Sequence, residues 1–516
     1  MSSRLRAILL SAAFLLFGCA GIIGVYLGVM SQADRLRPTV PTGAPGGPAH
    51  PSVIALDSAR TRNTLATTPR TASDQPPAPS APATSNDTTS AAAPPSAAAS
   101  DNAQVPAEPP SMIAALARGS QQTSRDQGAA AKRSITILQL GDSHTSADFL
   151  TGELRRRLQE TYGNGGSGYV TAGRPHVGVL SSTLKIAVSH GWTYQALQRS
   201  EEVGEFWMSG FNTVASAAGE TLSFTSERAE TFDVIEIEAI RRPGGGTFEI
   251  KLDGNVEGTF DLAGPKVKPI VVRLVPDRGP TNQVRDITLT TRSDGTVSIA
   301  SVAIYNTRAG LTYNSVGYPG ATVDILNKLD NRLFISNLRR LNPQIVVLSF
   351  GTNEADKPTV DIAGYTDKYR RVIAKIRAAL PGVTIVMIGP PEGEELPSHC
   401  KDKARETATC RVASETNASA SRANACEWKT LPKLAEVREA QRKLAQREGL
   451  VFWNWASIMP KECGADRWLT QSPVLMAKDH IHFTIAGYRK SAAAFLEMLV
   501  PVIDKVRSRS DAVSNN

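Results

Sequence analysis

The sequence predicts an α/β protein whose parallel sheet is interrupted by an all-β insertion. Nearly continuous apolar runs at residues 135–140 and 345–350 are typical of parallel strands that are buried on both faces. A helical spacing of apolar residues follows the first run, over residues 147–162. Between the two runs, residues 179–306 alternate between apolar and polar side chains instead, which is typical of antiparallel strands.

The first strand leads directly into residues 141–145, which read Gly-Asp-Ser-His-Thr. The helix predicted over residues 147–162 carries its large apolar side chains on one side. A strand, a tight turn and a helix in this order indicate an α/β sheet. Ligands of such sheets bind at the carboxyl ends of the strands, so the turn at residues 141–145 is a candidate site.

The insertion is predicted to be a β-sandwich or jelly roll, because its segments alternate with a period of two and are separated by turns rich in Gly, Asp and Pro. The aromatic residues Trp192, Tyr194 and Trp207 could stack on sugars there, whereas packing in the core is the commoner role. The predicted strands are residues 184–188, 232–240, 247–252, 269–274, 286–291 and 297–305.

The α/β pattern resumes after Gly310. We therefore predict one α/β domain, formed by residues 126–180 and 309–510 and split by a β domain of residues 181–308. In the second part, the predicted strands are residues 345–350, 383–388 and 450–455, and the predicted helices are residues 363–379, 432–448 and 485–507.

The N-terminus carries a membrane signal. Arg4 and Arg6 precede an apolar run over residues 7–30. About 24 helical residues reach about 36 Å, which is enough to span a bilayer core. The run is also longer than the apolar core of a cleaved signal peptide. We expect residues 1–6 to be a cytoplasmic tail and residues 7–30 an uncleaved transmembrane anchor, with the following chain exported.

Two alternatives to the anchor are open: cleavage near residues 12–20, or a lipoprotein signal at residues 16–19, which the sequence resembles only loosely because of Phe17. Residues 31–125 are rich in Pro, Ala, Ser and Thr. Such a segment buries too little apolar surface to offset the entropy cost of ordering it. We predict a disordered linker that gives the following domain reach away from the membrane.

The composition excludes several classes of protein. Of the 516 residues, 41% are hydrophobic and 21% are charged, close to the average of soluble globular proteins. This excludes a polytopic membrane protein, a coiled coil and a wholly disordered chain. The net charge of +8 is a small excess without a long Lys/Arg run, so we expect no nucleic-acid partner. A modest attraction to an acidic glycan fits the same charge.

Four of the five cysteines fall in one late stretch, Cys400, Cys410, Cys426 and Cys463. Their spacing matches no short zinc-binding pattern. An even number of clustered cysteines in an exported domain predicts two disulfides, and the sequence leaves all three pairings open.

Short polar blocks at strand ends and in loops predict a nucleophilic site. Ser143 follows a buried strand at a tight turn. A neutral serine needs a base. His482 can serve as that base, and Asp479, three residues earlier, can orient the imidazole. The backbone N–H groups of Ser143 and Gly320 and the side-chain amide of Asn353 can form an oxyanion hole. We expect no metal and no cofactor.

Other assignments compete with these. His480 is the rival base to His482, but only His482 has the Asp-x-x-His spacing. Gly317 is the alternative oxyanion glycine, although a turn role fits it better. Asp142 is expected to stabilise the turn rather than act as an acid. His144 either lines the pocket or packs beside it.

The ordered blocks Gly-Asp-Ser, Gly, Gly-x-Asn and Asp-x-x-His resemble the SGNH branch of the GDSL hydrolase family, which has a flavodoxin-like fold. The resemblance covers both α/β segments, about half of the chain. Residues 141–145, 162–168, 314–321 and 475–483 look like those of bacterial peptidoglycan O-acetylesterases. That group also carries a jelly-roll insertion that resembles a carbohydrate-binding module, between its Ser block and its Gly block.

The resemblance implies that Ser143, Asp479 and His482 form a catalytic triad and that Gly320 and Asn353 are oxyanion donors. It implies a serine esterase that removes O-acetyl groups from a cell-envelope polysaccharide, with peptidoglycan as the expected substrate, and the N-terminal signal adds that this esterase is membrane-tethered and exported. The expected location is the bacterial inner membrane, as a single-pass protein with its catalytic domain in the periplasm. A polysaccharide O-acetyltransferase, an esterase of an exopolysaccharide and a non-catalytic glycan-binding protein are the alternatives.

Overall fold

The computed structural model describes residues 51–55, 134–200, 205–275, 283–306, 310–356, 359–397, 399–400, 408–410 and 426–514. The predicted cytoplasmic tail and transmembrane anchor lie outside these residues, as does the predicted linker apart from Pro51–Ala55. Among the helices that are described, none combines the length and the apolar character needed to cross a membrane.

The α/β part is built on one parallel sheet of five strands. From one edge to the other, they are Leu311–Gly317, Ile135–Gly141, Ile345–Ser349, Thr384–Gly389 and Val451–Asn454. In chain order this is the 2-1-3-4-5 arrangement of flavodoxin-like folds. Ligands bind such sheets at the carboxyl ends of the strands, where the strand order switches, and this is where Ser143 follows the first strand.

Helices cover both faces of this sheet. Ile137 and Leu138 are neighbours in one strand but belong to separate cores on opposite faces. One layer consists of Phe149–Tyr162 and Ile485–Ser514, and the other consists of Asn331–Leu341, Ile362–Ala379 and Pro432–Glu448. The predicted α/β domain is therefore confirmed, and it has three layers. Burial on both faces explains why these strands have nearly continuous apolar sequences.

The sequence predicted some elements of the α/β part and missed others. Strand Leu311–Gly317 and helix Asn331–Leu341 have no counterpart in the sequence prediction, whereas helix Pro432–Glu448 has the predicted bounds. The short helices of the α/β part are Ser143–Ser146, Ile325–Lys328, Thr352–Ala355 and Gly464–Leu469, with a 3-10 turn at Trp455–Ile458 and a two-stranded ribbon of Glu394–Glu395 and Lys429–Thr430. A second 3-10 turn, Leu197–Arg199, belongs to the insertion.

The inserted part is a sandwich of two antiparallel sheets, as predicted, with an apolar core between them. One sheet has the order Pro51–Ala55, Lys268–Leu274, Val234–Arg241, Val297–Tyr305, Phe211–Ala215 and Thr193–Ala196, and Gly168–Thr171 also pairs with Val297–Tyr305. The other has the order Asn255–Asp261, Thr247–Leu252, Gln283–Thr291, Thr221–Thr231 and Leu184–Val188.

Two strands of the larger sheet come from outside residues 181–308. Gly168–Thr171 precedes the expected boundary of the insertion, and Pro51–Ala55 belongs to the segment expected to be a linker. Of the aromatic residues considered for sugar stacking, Trp192 and Trp207 are buried, whereas Tyr194 is 38% exposed.

An ion-pair cluster joins the sandwich to a helix of the α/β part. Arg340, on helix Asn331–Leu341, pairs with Glu236 and Glu238 on strand Val234–Arg241. Glu238 is buried and also accepts hydrogen bonds from Tyr169 (2.6 Å) and Ser301 (2.7 Å). Each oxygen of this buried carboxylate therefore has a partner. These partners offset the free-energy cost of removing the charge from water.

Candidate active site

Ser143 is placed by the end of strand Ile135–Gly141. The backbone N–H of Asp142 still bonds to Ser349 O on the neighbouring strand (3.1 Å), and a short helix then starts at Ser143. The carboxylate of Asp142 caps this helix by accepting the N–H of His144 (3.0 Å). Asp142 therefore has the turn-stabilising contacts that the sequence led us to expect.

The structure brings Ser143, His482 and Asp479 together across the length of the chain. His482 Nε2 lies 2.9 Å from Ser143 Oγ, and His482 Nδ1 lies 2.7 Å from Asp479 Oδ2. The other carboxylate oxygen, Oδ1, accepts the N–H groups of Ile481 (3.0 Å) and His482 (2.8 Å). With Nδ1 donating to the carboxylate, Nε2 is left to accept the serine proton.

The charges around His482 favour transfer of a proton to its ring. Partial burial alone would raise the pKa of Asp479, but hydrogen bonds from the His482 ring and from two backbone amides hold it well below its usual range. Partial burial alone would lower the pKa of His482, but the hydrogen bond and charge of Asp479 outweigh it, so the pKa is raised. The negative charge of Asp142 acts in the same direction.

Asp142 itself is fully enclosed by protein. Burial raises its pKa to about 6, against the opposing effects of its bond from His144 N, the charge of His482 and hydrogen bonds from Thr352. His144 is buried as well, and burial lowers its pKa to about 3, so it is neutral at physiological pH. Its Nδ1 lies 3.0 Å from the hydroxyl of Tyr488, which shows that it packs beneath the site.

Gly320 lies in an exposed turn, which is joined to the end of the strand before Ser143 because Tyr318 N donates to Gly141 O (2.9 Å). Ala321 N donates to Tyr318 O (3.1 Å), which closes a turn with Pro319 and Gly320 at its centre. The φ of Gly320 is +71°, a left-handed value that suits glycine at the third position of a turn with proline at the second. A side chain at this position would be strained, and the backbone N–H would be less accessible.

Asn353 is tied to the same turn. Its Nδ2 donates one hydrogen bond to Ala321 O (2.9 Å), so the second N–H of the amide can be offered to an oxyanion. Gly317, the alternative glycine, ends a strand instead of forming a turn. A Cβ there would lie 2.1 Å from Ser146 N, which means that this glycine permits close packing against the helix of Ser143.

His480, the rival base, points away from Ser143 and is buried against Glu394, with His480 Nδ1 2.7 Å from Glu394 Oε2. Sequence reasoning did not single out Glu394, nor Gln198 of the 3-10 turn Leu197–Arg199. Gln198 Nε2 is the closest atom to the position that a Cβ on Gly320 would take, at 3.7 Å. No sequence pattern marks either residue, because each is brought to the site by long-range folding.

The two disulfides predicted from the late cysteines are present, as Cys400–Cys426 and Cys410–Cys463. Within the described part of the chain, one group of side chains has the spacing of a metal site, His399 with Cys400 and Cys426. The two sulfur atoms of that group form a disulfide with each other, so they are not available as thiolate ligands.

Residues 301–490 match the GDSL-like lipase/acylhydrolase family. The matched range includes Gly320, Asn353, Asp479 and His482, whereas Ser143 precedes it because the β-sandwich separates the two parts of the site. The chain thus carries a GDSL-like acylhydrolase domain. Together with the serine–histidine–aspartate arrangement, this defines an esterase.

Among solved structures, the chain is similar to a peptidoglycan O-acetylesterase, with 24% identity over 75% of this chain and 95% of that one, and a TM-score of 0.55. A likeness at this identity establishes a shared fold. A family two carbohydrate esterase from Clostridium thermocellum also matches, with 11% identity over 61% of this chain and 98% of that one, and a TM-score of 0.24. The match to a family two carbohydrate esterase from Cellvibrio japonicus has 12% identity over 66% of this chain and 98% of that one, and a TM-score of 0.23. No curated protein matches the sequence.

Proposed function

We propose that this esterase removes O-acetyl groups from a cell-envelope polysaccharide, with peptidoglycan as its substrate. The observation that carries the proposal is the alignment of Ser143, His482 and Asp479 at hydrogen-bonding distances, beside the turn that holds Gly320. The fold shared with a peptidoglycan O-acetylesterase supports the choice of substrate.

In the proposed reaction, Ser143 Oγ attacks the acetyl carbonyl while its proton passes to His482 Nε2. The N–H groups of Ser143 and Gly320 and the amide of Asn353 stabilise the negative charge that develops on the carbonyl oxygen. His482 then gives the proton to the sugar oxygen, which leaves as a free hydroxyl group. Water attacks the acetyl-serine by the reverse path, releases acetate and restores Ser143.

The insertion supports a polymeric substrate, because its residue Gln198 lies beside the turn of Gly320. Leu197 is buried in the core of the α/β domain, and the next residue, Gln198, is exposed beside Gly320. A sugar chain with its acetyl group at Ser143 and its carbonyl oxygen at Gly320 would then extend past Gln198. We therefore propose that Gln198 contacts the sugar that bears the acetyl group.

We also propose that residues 7–30 tether the enzyme to the bacterial inner membrane, with the catalytic domain in the periplasm. The apolar run preceded by Arg4 and Arg6 supports this arrangement. The two disulfides agree with an oxidising compartment. Fractionation of cells that produce the full chain or a variant lacking residues 1–30 tests the tether, since only the full chain should sediment with membranes.

Acetate release from O-acetylated peptidoglycan by the purified full chain tests the activity. The same peptidoglycan after chemical removal of its acetyl groups sets the background. Ser143→Ala should reduce release to this background, whereas Ser508→Ala, at an exposed serine on the last helix, should leave it unchanged. Equal release by wild type and Ser143→Ala would overturn the proposal.

A further inference from the structure

The loop between Asp479 and His482 contains a second histidine that faces the opposite way. His480 and Glu394 are each only 2% exposed, although Asp479 and His482 expose 43% and 36% of their side chains. His480 Nδ1 donates to Glu394 Oε2 at 2.7 Å. The loop therefore directs Asp479 and His482 towards solvent, where they form the proposed triad. It directs His480 inward, where the buried carboxylate of Glu394 holds the ring.

An aromatic ring closes the other side of this histidine. The indole of Trp428 stacks on the His480 ring, with 3.7 Å between the ring centres and an angle of 11° between the planes. The backbone is fixed as well, because Glu394 N donates to His480 O (3.1 Å) and His480 N donates to Ala477 O (3.1 Å). His480 thus has contacts on its ring face, its ring edge and its backbone.

The backbone of His480 is held in a conformation that it would not adopt freely. Its φ is +59°, in the left-handed region that only a few per cent of residues other than glycine adopt. Such a conformation persists when the surrounding contacts enforce it. The two amides that follow it, of Ile481 and His482, are the ones that donate to Asp479 Oδ1. The orientation of the Asp479 carboxylate therefore depends on the turn at His480.

A disulfide supports both partners of His480. Cys463 precedes the short helix Gly464–Leu469, and the N–H groups of Ala465 and Asp466 both donate to Glu394 Oε1 at 3.2 Å. Cys463 is bonded to Cys410. The Cys410 backbone lies beside Trp428, where Trp428 N donates to Thr409 O (3.3 Å). The disulfide thus joins the support of the carboxylate to the support of the indole.

We propose that Glu394 and Trp428 are positioning residues, which hold His480 so that Asp479 and His482 keep their alignment on Ser143. The inference rests on the proposed triad and adds a function for a buried cluster that does not touch substrate. The alignment that this cluster maintains matters in the transition state and not for substrate binding. Loosening the cluster should therefore lower kcat and leave KM nearly unchanged. Misplacement by about 1 Å is enough to cost about 100-fold in rate.

The test compares Glu394→Ala with Glu394→Gln, using 4-nitrophenyl acetate so that the identity of the glycan does not enter. Glutamine keeps the size and can bond both to the helix amides and to the His480 ring in its other tautomer, whereas alanine removes both bonds. We expect kcat to fall about 10- to 100-fold in Glu394→Ala and to recover largely in Glu394→Gln. The acidic limb of the pH–kcat profile should also move to lower pH in Glu394→Ala, since a displaced Asp479 no longer raises the pKa of His482.

Arg340→Met is the matched control, because it also removes a partner of a buried carboxylate, Glu238, but outside this loop. It should lower the denaturation midpoint without changing kcat or the pH profile. If Glu394→Ala does not fold, Trp428→Leu, which removes the stacked ring and keeps the hydrogen bond between His480 and Glu394, carries the same expectation. An unchanged kcat and pH profile in the folded variant would overturn the positioning role. If wild type and Ser143→Ala hydrolyse the ester equally, the proposed triad itself fails.

Discussion

Replacing Asp479 by asparagine should nearly abolish turnover while leaving the fold intact. Asp479 Oδ2 accepts the His482 Nδ1 proton at 2.7 Å, and this bond leaves Nε2 free to accept the Ser143 proton. An asparagine amide can donate to Nδ1 instead, which places the ring proton on Nε2, where it faces Ser143 Oγ. In this tautomer the base cannot take the serine proton.

The expected loss is about 10⁴-fold in kcat, as measured for the same change in a serine protease triad. At about 1.36 kcal/mol per tenfold change, this corresponds to about 5.4 kcal/mol of transition-state stabilisation. A second effect follows from charge. His482 must be neutral to act as a base, so activity rises as the pH rises through its pKa. Because Asp479 raises that pKa, its loss should move the acidic limb of the profile to lower pH.

Steady-state hydrolysis of 4-nitrophenyl acetate across a pH series measures both effects. Asp504→Asn is a matched control, since that carboxylate bonds to Tyr162 on the outer surface of the helical layer. It should retain wild-type kcat and the wild-type pH profile. A kcat for Asp479→Asn within tenfold of the wild-type value, in a variant with wild-type circular dichroism, would refute the assignment of Asp479 as the residue that orients the base.

Three further changes test other parts of the site and its support. Asn353→Ala should lower kcat for 4-nitrophenyl acetate by about 10²- to 10³-fold through loss of an oxyanion donor, and a loss under threefold would argue against that role. Gln198→Ala should lower kcat/KM for O-acetylated peptidoglycan at least several-fold but not for the small ester, and an equal effect on both substrates would contradict a sugar contact. Arg340→Met leaves the buried Glu238 without its cation, while Glu236 keeps Arg273 (3.6 Å), so it should cost about 3–5 kcal/mol in a urea titration; an unchanged midpoint would show that the ion pairs of Arg340 add nothing to stability.

The meeting of Ser143, His482 and Asp479 could be predicted from the sequence because each of these residues lies in a short local pattern. Asp479 and His482 share one loop, and the distance between them is set by three residues of backbone. Ser143 directly follows a strand whose apolar sequence is unmistakable. The carboxyl ends of neighbouring parallel strands meet at one edge of the sheet, so these local patterns also predict that Ser143 and Asn353 lie in one crevice.

Strand Leu311–Gly317 escaped prediction because its buried positions include polar residues. Asn314 is fully buried, yet its side chain accepts Tyr169 N (2.9 Å) and thereby links the sheet to the β-sandwich. Thr312 is buried as well and donates to Gly165 O (2.9 Å). Polar side chains that are satisfied by distant backbone groups do not have the apolar pattern from which a buried strand is recognised.

The supporting residues around the site depend on contacts that no local pattern encodes. Glu394 meets His480 across 86 positions of the chain, and Gln198 meets Gly320 only after the sandwich has packed on the α/β domain. The disulfide pairing could not be predicted for the same reason. The sequence leaves three arrangements open, and the fold decides between them by bringing Cys410 to Cys463.

Trapping the acetylated enzyme tests the central claim most directly. The purified full chain is mixed with O-acetylated peptidoglycan fragments and quenched in acid within the first turnover, and its peptides are then mapped by mass spectrometry. We predict an acetyl group on Ser143 in wild type, with none on Ser143→Ala at any residue. Acetate release without a modified Ser143, or with the acetyl group on a different side chain, would contradict a mechanism in which Ser143 is the nucleophile.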